Sequence, residues 1–114
     1  MKKFLGIYIG TAHPEWNRMD EGKRKKLEAS GIKAWGEWMM ANQGAIVDQG
    51  SPLGKTKRTA AQGVSDTRNN MTGYIVVQAE SHEAAARMFE NHPHLGIPNS
   101  WIEVMPANLL PGMN

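Results

Sequence analysis

The stretch ENHPHLGIPNSWIEV, residues 90–104, sets two histidines on either side of Pro93, just ahead of a strand-like run. An unperturbed imidazole titrates near neutral pH, so such a pair suits acid–base catalysis or metal binding. The plainer role is to end a helix and satisfy its last carbonyls. If residues 92–94 are extended, alternation puts both rings on one side, within reach of one ligand. Zinc and iron sites need three or more such donors, and no spacing demands His13, Asp48 or Glu103 as the third. The expectation is a protein without metal or other cofactor. With Asp48 or Glu103 as its orienting carboxylate, one of the histidines becomes a general acid–base group. The candidate catalytic residues are therefore His94, Asp48, His92 and Glu103. Tyr8, Ser51, Tyr74 and Trp101 are candidate substrate-binding groups.

Each of these has a structural alternative. Asp48 and Ser51 suit the capping of a tight turn, Glu103 a salt bridge, and the two tyrosines a packing role. Of the histidines, His92 is pinned at the helix end by the following proline and reads as the more structural. His94, leading toward Trp101 and Glu103, reads as a partly exposed pocket residue whose loss changes stability little. The segment GSPLGKT at 50–56 is no phosphate loop. Its glycines enclose three residues where four are needed, and Pro52 removes a donor.

The elements that must position these groups follow from the patterning. KFLGIYI (3–9) alternates like a strand, and a helix is expected from Asp20 to Asn42 with Leu27, Ile32, Trp35 and Met39 as its inward stripe. Trp35 and Trp38 read as core or dimer contacts. AIVDQG (45–50) is a short strand, 55–70 a hairpin-like excursion or loop, and MTGYIVVQAE (71–80) the clearest strand. Ser81 caps a second helix that Pro93 ends, and SWIEVMP (100–106) is the last strand. The order strand, helix, strand, strand, helix, strand predicts a ferredoxin-like α+β fold in one domain, residues 1–114.

Two helices cover one face of such a sheet. With Leu5, Ile7, Val47, Ile75, Val77, Ile102 and Val104 placed beneath them, the other face carries Phe4, Tyr8, Ile46, Asp48, Tyr74, Val76, Gln78, Trp101, Glu103 and Met105. That is a larger apolar patch than monomers usually expose, so a homodimer enclosing a small-molecule pocket is expected.

Composition bounds the partners. The chain has 114 residues, 40% hydrophobic and 21% charged, as in globular domains. A formal charge of +2 and a KRKK cluster without interleaved aromatics give no reason to expect nucleic acid. No apolar run nears the roughly 20 residues that span a membrane. The short apolar start reads as a strand rather than a leader, which suggests a cytoplasmic protein. With no cysteine, thiolate chemistry and disulfides are excluded.

In order, KFLGIYI, GIKAWGEWM, AIVDQGSPLG, TGYIVVQAESHEAAARMF, HPHLG and IEVMP resemble the blocks of the YCII-related (DGPF-type) family. The resemblance spans nearly the whole chain, and its most specific parts are VDQGSPLG and TGYIVVQAES. It implies a ferredoxin-like fold paired into a dimeric α+β barrel. In part of the family, a histidine on the first helix and an aspartate before a proline after the second helix are a proposed catalytic pair. Here Lys33 and His92 stand at those positions, and the literal Asp-Gly-Pro-Phe motif is absent. The PHL element implies a pocket role for His94. Residues and resemblance lead to a cofactor-free isomerase or lyase that moves protons on a small aromatic or carbonyl compound. The alternative is a non-catalytic small-molecule-binding or accessory dimeric module.

Overall fold

The computed structural model describes residues 1–11 and 18–112. Its elements are β1 (Lys2–Gly10), α1 (Glu21–Ala41), β2 (Ile46–Pro52), β3 (Thr56–Ala60), β4 (Gly63–Thr67), β5 (Met71–Ala79), α2 (His82–Arg87) and β6 (Ser100–Pro106). Four strands form one sheet in the order β2-β5-β1-β6, and every pairing is antiparallel. With β3 and β4 set apart as a hairpin, this is the ferredoxin-like βαββαβ arrangement that the sequence predicts. Among the described residues no helix is long and apolar enough to cross a membrane.

Register decides which residues face the helices. Phe4 lies opposite Val77, Gly6 opposite Ile75 and Tyr8 opposite Gly73. Directly opposed residues share a face, so Phe4 and Tyr8 go under the helices with Ile75 and Val77. All four are buried, along with Trp38, Ala85 and Phe89. This corrects the expected parity of β1: Leu5, Ile7 and Ile9 lie on the open face, and Phe4 and Tyr8 on the covered one. Alternation could not settle it, because both sets in this strand are apolar. Two glycines show what did. A Cβ on Gly6 would sit 3.1 Å from the Phe89 ring, and one on Gly73 would sit 3.2 Å from the Tyr8 ring. The covered side is thus the side with gaps for large rings to fill.

Strand β2 also differs from expectation. It runs on to Pro52, with register irregularities between Ile46 and Asp48 and again before Ser51. The bulged register turns Ile46 toward the core and leaves Val47 exposed, the reverse of simple alternation. Gly50 has φ +70, and a Cβ there would collide with the Tyr74 carbonyl oxygen, so only glycine fits this bulge.

Helix α1 packs through Trp35, Trp38 and Met39. Leu27 and Ile32, expected inside, are exposed, Ile32 by 74%. Helix α2 is shorter than its pattern suggests. Ser81 caps it through its hydroxyl, which accepts from the Ala84 N–H at 3.1 Å, but it ends at Arg87. Residues 93–96 form a separate 3₁₀ turn. The hairpin β3–β4 resolves the alternative left open for 55–70 and is almost wholly exposed, with a Lys57–Asp66 ion pair at 2.6 Å.

Candidate functional site

The described residues gather one cluster of titratable side chains in the interior: Tyr8, His92 and His94. Tyr8 sits near the end of β1 on the covered face, and the histidines come from the turn after α2. Pro93 holds that turn with its fixed φ at the first position of the 3₁₀ segment. Helix α1 closes the cluster from above. The His92 ring meets Trp35 edge-on with centroids 4.3 Å apart, and Trp38 lies 4.6 Å away. Tyr8 is 5.0 Å from the His92 ring and 5.3 Å from that of His94. All three are nearly inaccessible, at 3%, 2% and 5% exposure.

Hydrogen bonds fix the proton positions. The backbone N–H of His94 donates to His92 Nδ1 at 3.0 Å, so that nitrogen carries a lone pair. A neutral His92 then holds its proton on Nε2 and donates it to the Tyr8 hydroxyl oxygen at 3.3 Å. The Tyr8 O–H is left to donate elsewhere. His94 Nε2 donates to the Ile9 carbonyl at 2.9 Å, which leaves Nδ1 as the basic nitrogen of a neutral His94. Neither the Tyr8 proton nor His94 Nδ1 has a hydrogen-bond partner among the described residues.

Burial sets the charge states. It pushes the His92 pKa down to about 4, with the neighbouring His94 contributing in the same direction. His92 is therefore neutral at physiological pH. Burial likewise pushes the Tyr8 phenol well above its ordinary value, so it stays protonated.

The other predicted site residues lie elsewhere. Asp48 pairs across to Val76, and its carboxylate accepts from the Gly50 N–H at 2.8 Å, the turn-capping role. Ser51 is opposite Tyr74, whose side chain is on the open face with that of Glu103. Glu103 accepts from Trp101 Nε1 at 2.8 Å. The expected pairing of a histidine with Asp48 or Glu103 is thus not made within the chain, because the sheet lies between them. His92 and His94 do come together, as expected, but Tyr8 joins them from the covered face rather than lining an open-face cavity. His94 is buried, against the expected partial exposure. His13 lies outside the described residues. Among those described, no group of three or more histidines and carboxylates is placed to hold a metal ion. Trp35 and Trp38 are the missed contributors. Their three-residue spacing marked them as packing residues, but only the fold shows that they pack on the histidines.

No family model and no curated protein matches the chain. Among solved structures it is similar to 5-chloro-2-hydroxyhydroquinone dehydrochlorinase from Burkholderia phenoliruptrix AC1100, solved in complex with 2,5-dihydroxybenzoquinone. The identity is 16%, the TM-score 0.49, and the match covers 88% of this chain and 90% of that one.

Proposed function

We propose that the protein is a cofactor-free enzyme that shifts a proton on a small carbonyl or aromatic hydroxy compound. The observation that carries this reading is the pairing of an uncommitted acid, the Tyr8 O–H, with an uncommitted base, His94 Nδ1, in one aromatic-walled cluster. A neutral imidazole with a free lone pair can take a proton from carbon beside a carbonyl. The Tyr8 hydroxyl donates to the enolate oxygen as charge develops there, and burial makes that hydrogen bond stronger than it would be in water. His92 is the positioning residue. It is neutral, locked by the His94 backbone, and turns the Tyr8 proton away from itself by donating to its oxygen. Protonated His94 then returns the proton at another carbon, completing an isomerisation. Asp48 and Glu103 take no part within one chain.

Deuterium uptake from solvent tests this directly. Small cyclic 1,3-diketones and hydroxyaryl ketones incubated with the protein in D₂O should exchange their acidic C–H positions faster than with free imidazole. Tyr8→Phe and His94→Gln should each lower that rate by about 10²–10³-fold. Exchange no faster than with imidazole, or rates unchanged in both variants, would refute the reading. The second reading, a binding or accessory module, is favoured by the near-complete closure of the three rings.

The same proposal includes a homodimer. Leu5, Ile7 and Ile9 share the open face with Tyr74, Val76, Trp101 and Met105, and no element among the described residues covers them; Trp101 is 42% exposed. An apolar sheet face of that kind is best satisfied by a second copy across a twofold axis. Light scattering after size exclusion should give twice the chain mass at micromolar concentration. A soluble monomer there would exclude this arrangement.

A further inference from the structure

At the other end of the sheet lies a half-open groove of about 560 Å³, a size usual for small-ligand sites. The start of β1, the first residue of α2 and the chain after β6 build it. Ala107 N–H donates to the Lys3 carbonyl at 3.0 Å, which fastens the trailing segment as one wall. Phe4, Pro106 and Leu109 make it apolar, while Lys2, Lys3 and His82 bring the only ionisable side chains among its lining residues. The His82 ring stacks on Phe4 at 5.6 Å and 20°, and its Nε2 donates to the Val104 carbonyl at 2.7 Å. The ring is thereby held in place, with Nδ1 left unengaged by the described residues.

The charge pattern selects a ligand class. No carboxylate lines the groove, and none of the ion pairs among the described residues uses Lys2, Lys3 or His82. Elsewhere the lysine and arginine side chains in such pairs meet carboxylates, as Arg87 does with Glu83 and Glu90. An apolar trough edged by unneutralised cations fits an amphipathic anion with a flat or aliphatic body. We infer that this groove binds a small aromatic or aliphatic monocarboxylate, its apolar part against Pro106 and Leu109 and its carboxylate toward Lys2 and Lys3. The site is separate from the Tyr8–His92–His94 cluster and does not depend on its activity.

The test uses 1-naphthoate, with neutral 1-naphthamide and inorganic phosphate as comparison probes, followed by titration calorimetry and amide chemical shifts. Naphthoate should bind saturably, and naphthamide and phosphate at least about tenfold more weakly, because each lacks one half of the recognition. Shift changes should centre on residues 2–4 and 106–109 rather than 92–96. The Lys2→Gln, Lys3→Gln double variant alters only exposed side chains and should fold normally, while weakening naphthoate about tenfold or more. No naphthoate binding, equal binding of naphthamide, undiminished binding by the double variant, or shifts confined to 92–96 would each overturn the assignment.

Discussion

Replacing His92 with Ala should lower the unfolding free energy by about 3–4 kcal/mol, among the largest effects of any single change in this chain. The ring is 2% exposed and packs between Trp35, Trp38 and Tyr8. Its removal opens a cavity under α1 and also strands two polar groups. The His94 N–H loses its acceptor, and the Tyr8 hydroxyl loses its donor. A buried group left unsatisfied costs about 1–3 kcal/mol, in addition to the cavity. Glu103→Ala is the contrast, because its only side-chain hydrogen bond among the described residues is an exposed one from Trp101, and it should cost under about 1 kcal/mol. Urea unfolding of the three proteins checks this. A His92→Ala loss no larger than that of Glu103→Ala would show that the cluster does not hold the turn.

Acidification should destabilise the protein well before most carboxylates titrate. His92 in the unfolded chain protonates near 6.5, and in the folded chain only near about 4. Above pH 6.5 neither state binds the proton, and stability is full. Between 6.5 and 4 the unfolded chain gains a proton that the folded chain refuses, so unfolding becomes easier as pH falls. Below 4 both states are protonated and the loss levels off. The gap corresponds to about 3 kcal/mol. Subtracting the pH profile of His92→Gln from that of the wild-type protein isolates this contribution from other titrating groups. The difference should develop between pH 6.5 and 4. A flat difference across that window would mean that His92 charges freely in the folded state.

The arrangement of elements was readable because each has its own local signal. MTGYIVVQA is β-rich, Ser81 followed by Glu83 starts a helix, and SWIEVMP is bounded by turn residues. The site was only partly readable. That His92 and His94 belong together follows from their spacing, but which face of β1 they meet does not. Phe4 and Tyr8 are as apolar in pattern as Leu5 and Ile7, and the choice rests on Phe89 fitting over Gly6 and Tyr8 over Gly73. These contacts span more than sixty positions in the chain, so no local period encodes them. Asp48 and Glu103 were plausible partners by type alone, and the sheet between them and the histidines is a property of the register. The irregularity between Ile46 and Asp48 likewise reversed Ile46 and Val47, because one extra residue shifts the side chains beyond it to the other face.

His92 is a buried, neutral imidazole that holds its proton on Nε2 and so leaves the Tyr8 proton free. Long-range ¹⁵N–¹H correlation spectra of the histidine rings, followed from pH 8 to pH 3, measure it directly. His92 should stay neutral as the Nε2–H form at pH 6 and titrate near about 4. A His92 ring that is charged at pH 6, or neutral with its proton on Nδ1, would contradict it.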